Sequence, residues 1–122
     1  MNKKEKIWGK LMSFTKQFWC CHQLPERSFF VKGYQFPLCA RCTGIACGYC
    51  FAFFLIIFNT LLPIWLCSIF LMPLILDGGI QFFANIVSTN TKRALTGFFF
   101  GLGIIHFIAN ILIFLYNTIL FK

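Results

Sequence analysis

Residues 38–58 read LCARCTGIACGYCFAFFLIIF, and the fold turns on this stretch. Beyond Arg41 it carries no charged side chain. Twenty-one residues at about 1.5 Å each reach roughly 30 Å, the thickness of a bilayer's hydrocarbon core. Two further stretches, 61–83 and 94–116, have the same character. The reading is an all-α integral membrane protein with three transmembrane helices and an interfacial helix at the N-terminus. Only Asn59 and Thr60 part the first two spans, which implies a tight helical hairpin. Pro63 is expected in the first turn of the second helix, where a missing N–H costs little, and Pro73 is expected to kink it.

Composition agrees. Of 122 residues, 59% are apolar, only 11% are charged, and eighteen are Phe. A soluble domain of this size keeps too much surface to hide so many rings, so a soluble enzyme, a disordered tail and a disulfide-knit secreted module are excluded. The chain reads as one membrane domain, 1–122. It comprises an amphipathic interfacial helix (1–20), a polar Cys/His loop (21–37) and the spans at 38–58, 61–83 and 94–116. In the first part Ile7, Leu11, Phe14 and Phe18 recur at helical spacing with Lys6, Lys10 and Lys16 between them, as in a helix lying in the plane of the interface. Residues 1–37 contain no uninterrupted apolar core of the kind a signal peptide needs, so no cleaved leader is expected.

The formal net charge is +8, and eight of the eleven Lys and Arg fall within the first 41 residues. Beside membrane spans, a basic arm of this kind points to the lipid bilayer and its anionic headgroups rather than to nucleic acid. Lys and Arg gather before the first span and again at Lys92 and Arg93, while the Asn59–Thr60 turn has none. That distribution sets the N-terminus in the cytoplasm, the C-terminus outside and the protein in the cell membrane.

This topology collects most of the unusual polar residues at one face. Cys39 and Cys42 form a Cys-x-x-Cys pair, a frequent half-site for zinc because two thiolates at this spacing can share one ion. Cys21 with His22, or Cys20 with His22, would supply the other half. A reducing compartment disfavours stable disulfides and gives metal binding more weight. The expected ligands are Cys21, His22, Cys39 and Cys42, for zinc first and copper second. Arg27, Arg41, Asp77, Gln81 and Arg93 are expected around them, with Arg41 and Asp77 as an ion pair, because unpaired charge at the hydrocarbon edge is costly. Cys47, Cys50 and Cys67 lie deep in the spans as small hydrophobes. His106, with Asn110 one turn on, suits an interhelical hydrogen bond better than a ligand role.

Gly44-x-x-x-Gly48 and Gly97-x-x-x-Gly101 allow backbones to approach closely, within the chain or against a second copy or another protein. There is no nucleophile–base pair, nucleotide loop or pair of carboxylates for acid–base work, so catalysis is not the leading reading. Two alternatives to a metal site stand. One is a membrane thiol oxidoreductase using Cys39 and Cys42, since a thiolate is favoured where that pair opens a helix. The other is a non-catalytic interaction subunit of a transporter.

The run Cys21-His22-Gln23-x-Pro25-x-Arg27-Ser28-Phe29, followed by Gly33-x-Gln35-x-Pro37-x-Cys39-Ala40-Arg41-Cys42-Thr43-Gly44, resembles the signature of a family of small prokaryotic multi-pass membrane proteins of unknown function. Asp77-Gly78-Gly79-x-Gln81 and Ser88-x-Asn90-x-x-Arg93-x-x-Thr96-Gly97 resemble the same family. The likeness implies a multi-pass protein whose polar signature residues cluster, and it brings no activity with it.

Overall fold

The computed structural model describes residues 2–86 and 88–122. The elements are α1 (Lys3–Trp19), a 3-10 turn (Pro25–Arg27), strands β1 (Ser28–Val31) and β2 (Tyr34–Cys39), and helices α2 (Ala40–Ile57), α3 (Ile64–Ala84) and α4 (Asn90–Leu120). The last three are long and apolar enough to cross a membrane. Their outer faces present rings and branched side chains such as Trp65, Ile75 and Phe82, the last 80% exposed. Hydrocarbon solvates such a surface and water does not.

The expected polar loop at 21–37 is corrected by the structure, which folds its second half into a β-hairpin. Phe30 and Val31 face Gln35 and Tyr34 across Lys32-Gly33, both at positive φ (50° and 84°). A two-residue turn of that hand matches the twist of its strands, and β-branched and aromatic residues favour the pleat. The strands pair antiparallel, with Ser28 opposite Cys39 and an irregularity between Ser28 and Phe30. Pro37 is tolerated because β2 is an edge strand.

Helix α1 packs on β2 through polar contacts. Trp8 Nε1 donates to the Gln35 carbonyl (2.8 Å), while Thr15 Oγ1 (2.9 Å) and Gln23 Nε2 (2.9 Å) both donate to that of Pro37. This turns Ile7, Leu11, Phe14 and Phe18 outward, and all four remain exposed.

The helix boundaries also move for identifiable reasons. Helix α2 starts at Ala40 rather than 38 because Leu38 and Cys39 belong to β2 and Cys39 caps the helix. Its end is a Schellman turn: Asn59 N donates to the Ile56 carbonyl (2.9 Å), Thr60 N to that of Leu55 (2.9 Å), and Asn59 takes φ 61°. Pro63 is therefore the N-cap of α3 and not in its first turn; its carbonyl accepts from Leu66 N and Cys67 N. Pro73 lies inside α3 as expected. Thr89 caps α4 by accepting from Lys92 N (3.4 Å), so Lys92 and Arg93 are helical and the helix runs 31 residues, about 46 Å.

The bundle is set by a glycine seam. A Cβ at Gly44 would run into the carbonyl of Ala94, one at Gly48 into that of Phe98, one at Gly97 into that of Arg41 and one at Gly101 into that of Ile45. Both small-residue motifs are thus used inside the chain, joining α2 to α4. Helix α3 packs on the other side of α4, where Gly103 lies against the Cys67 carbonyl and Phe70 meets Phe99 at 5.4 Å between ring centroids.

Gly44→Ala or Gly97→Ala should therefore lower stability by about 1–3 kcal/mol, the usual cost of overpacking. Gly78→Ala, with nothing within 4 Å of its would-be Cβ, should be neutral or slightly stabilising. Denaturant unfolding in detergent micelles measures both, and equal effects at the two positions would refute the seam.

Candidate metal centre

Helix α1 ends at Cys20, whose left-handed backbone (φ 48°) reverses the chain and brings Cys21 beneath the end of β2. There Cys39 N donates to Cys21 Sγ at 3.3 Å. One residue on, α2 begins, and Cys42 N donates to Cys39 Sγ at 3.5 Å, so that thiol is the helix N-cap. Two short constraints, a hairpin end and a helix start, thus bring three sulfurs together. Cys21, Cys39 and Cys42 all lie within 4.8 Å of one another, with Cys21 buried and the other two half-buried. Tetrahedral zinc with bonds of about 2.3 Å places its sulfurs about 3.8 Å apart, so a small closing movement makes a ligand set.

His22 is exposed and outside this group, although it lines the same cavity of about 200 Å³ together with Gln23, Arg27, Gln81 and Arg93. Cys20 is exposed at the cavity's edge. The Cys39 thiol is pulled down to about 5 from the usual 9.0. The chief cause is the hydrogen bond from the Cys42 thiol; the Cys42 and Arg41 backbone N–H groups and the Cys21 thiol add to it, against the opposing effect of burial.

The expected ion pair is present, with Arg41 Nη2 3.1 Å from Asp77 Oδ2. Asp77 is buried and continues into a chain of hydrogen bonds. Gln81, one turn along α3, donates through Nε2 to Asp77 Oδ2 (2.8 Å) and to Ser88 Oγ (2.7 Å), while its Oε1 accepts from Arg93 Nη2 (3.5 Å). Arg93 Nε also donates to Ser88 Oγ (3.1 Å). Ser88, and Gln23 and Gln35, whose Nε2 donates to the Gln23 carbonyl (2.7 Å), lie outside the ligand and charge set expected from the sequence. The signal available for them was their place inside the same polar motifs.

His106 stands apart in the bundle. It is fully buried, its Nδ1 donates to the Leu102 carbonyl (2.9 Å), and Nε2 has no partner among the described residues. Asn110 Nδ2 bridges α4 to the Leu62 carbonyl at 2.8 Å. Cys67 is buried nearby in α3, whereas Cys47 and Cys50 face outward from α2.

Removing one partner of a buried pair costs roughly 3–5 kcal/mol because the other charge is left stranded. Asp77→Asn should destabilise the protein by an amount near the lower end of that range, since Arg41 is partly exposed, and Arg41→Gln combined with Asp77→Asn should recover much of it. Unfolding free energies that simply add across the two positions would mean the residues do not interact.

Residues 21–107 match the family described as "Predicted membrane protein (DUF2085)". An uncharacterized protein of Methanothermobacter thermautotrophicus is 35% identical over 88 residues, which cover 69% of this chain and 79% of that protein. Another uncharacterized protein, from Methanocaldococcus jannaschii, is 35% identical over 94 residues, 72% of this chain and 60% of the relative's length. No solved structure matches the chain. With residues 21–107, most of its length, matched by the family model, this chain belongs to the DUF2085 family of membrane proteins.

Proposed function

We propose that this is a small multi-pass membrane protein that holds a metal ion at the cytoplasmic end of its helix bundle, through Cys21, Cys39 and Cys42 with His22 as the fourth ligand. The observation that supports it is the meeting of three sulfurs within 4.8 Å from segments eighteen residues apart. Zinc suits thiolate and imidazole together and needs no redox partner; copper(I), which accepts three soft thiolates, is the competitor. His22 follows Cys21 directly and lines the same cavity. The ion would tie the hairpin to the start of α2 or be handled there for delivery elsewhere. The cytoplasmic assignment rests on the Lys and Arg before α2 and at the start of α4. A reporter active only in the cytosol should work on the N-terminus and fail on the C-terminus.

Elemental analysis of the detergent-purified protein should find about one metal ion per chain. Cys21→Ser, Cys39→Ser or Cys42→Ser should abolish it, His22→Ala should weaken it, and Ala at Cys47, Cys50 or Cys67 should change nothing. Because thiolates must lose protons to bind, affinity should fall on acidification and loading should release protons.

A second reading is favoured by the lowered Cys39 thiol: thiol–disulfide exchange, with Cys39 attacking a disulfide and Cys42 resolving it. In the metal-free protein, Cys39 should be alkylated at a nearly constant rate from pH 9 down to about 5 and slow below that. The same lowering favours the fold with a definite sign. Its contribution is complete above the unfolded thiol's 9.0 and is lost as pH falls through about 5, while the Cys42 thiol, which must keep its proton to donate the same hydrogen bond, opposes it above pH 9. A purified protein without metal that shows this alkylation profile would replace the metal reading with exchange.

A further inference from the structure

The thiols account for one wall of the cavity. The other walls carry Arg27, Arg41 and Arg93, each from a different element. Arg93 is only 3% exposed, yet its described hydrogen bonds go to neutral oxygens, Ser88 Oγ and Gln81 Oε1. Arg41 has one carboxylate, Asp77, and its Nε is buried with no partner among the described residues. The chain has only three acidic residues. Glu5 is engaged in capping α1, and Glu26, beside Arg27, is exposed and forms no ion pair among the described residues. Three guanidinium groups against one buried carboxylate leave the cavity net positive, even with a thiolate at Cys39. Of the three, Arg93 is the buried charge, and no carboxylate among the described residues pairs with it directly, while Arg27 is exposed and Arg41 is partly exposed.

We propose that this cavity binds a phosphate-bearing anion through Arg27, Arg41 and Arg93. The ligand class follows from geometry. A carboxylate offers one edge to one guanidinium fork, whereas a tetrahedral phosphate offers several faces and suits arginines arriving from three elements. About 200 Å³ holds such a group with several waters. Helices α2 and α4 both begin at this end, adding the positive ends of two helix dipoles. The site does not depend on the metal: three thiolates around zinc carry one net negative charge, which still leaves the arginines in excess. The starts of two spans also set the cavity at the depth of lipid headgroups, so the phosphate is either that of a lipid or free in solution.

The test uses the full-length protein in a neutral maltoside detergent, titrated calorimetrically with inorganic phosphate and, separately, with a short-chain phosphatidic acid. Saturable binding of either is expected. Arg27→Gln, on an exposed turn where folding is not at risk, should weaken it roughly tenfold, the loss of one charge-assisted hydrogen bond. Arg93→Gln should weaken it at least as much, and Lys32→Gln at the hairpin tip should leave it unchanged. Tighter binding of the phosphatidic acid assigns the site to a headgroup, and equal or tighter binding of inorganic phosphate assigns it to the free anion. A folded protein that binds neither, or binds both with the same affinity after Arg27→Gln, overturns the proposal. Titrations of the chelator-treated and zinc-loaded forms separate this result from the metal reading. Zinc without phosphate removes only the anion site, and phosphate without zinc removes only the metal.

Discussion

The contact of α2 with α4 through four glycines is the constraint on which the rest of the molecule depends. Lipid chains are as apolar as leucine, so helices in a bilayer gain little from hiding side chains against each other and rely on close packing and polar pairs. Here backbone meets backbone: the Arg41 carbonyl lies over Gly97 and the Ala94 carbonyl over Gly44. The register this imposes is narrow, since no Cβ fits at these positions. It also has an electrostatic consequence. Arg41 is three residues before Gly44, and Arg93 is four before Gly97, so the seam that locks the helices carries two guanidinium groups to the same end.

Helix α3 makes that juxtaposition tolerable. Asp77 neutralises Arg41, and Gln81 extends its reach to Arg93. A carboxylate at position 81 would repel Asp77 and an ammonium would repel Arg93, whereas an amide donates in one direction and accepts in the other. Outside the spans, the hairpin and α1 form a cap held by hydrogen bonds to the carbonyls of Gln35 and Pro37. The cap presents Cys21 to the start of α2. The thiol group and the charged network are therefore one structure, half from the cap and half from the bundle, around a shared cavity.

The polar site and the buried His106 obey different rules. Around the cavity, charges are paired or face space that a ligand can enter. At His106 the helix's own carbonyl takes one nitrogen and the bundle closes over the other. That histidine is on α4 below the seam, remote in sequence from the thiols, and the proposed site makes no use of it.

Much of this was legible in the sequence because the bilayer imposes a coarse and one-dimensional rule. A span needs length and the absence of charge, and residues 38–58, 61–83 and 94–116 meet it without reference to one another. The Arg41–Asp77 pair and the glycine contacts were also readable, since charge at the hydrocarbon edge needs a partner and small residues four apart mark close packing. Boundaries were less so. Thr89 extends α4 and Pro63 caps α3 through hydrogen bonds that compete with the surrounding chain, and hydropathy does not report those. The hairpin was missed because Lys32-Gly33 is a weak turn signal beside Asn-Gly and because Pro37 interrupts the second strand. Only the tertiary structure decided which residues share the cavity. Cys21 joins Cys39 and Cys42 while His22, its neighbour, stays exposed outside the sulfur group, because one left-handed residue at Cys20 and one hairpin register set the direction of each side chain. Direction at a chain reversal depends on the sum of all the packed elements around it, whereas hydrophobic length depends on each segment alone.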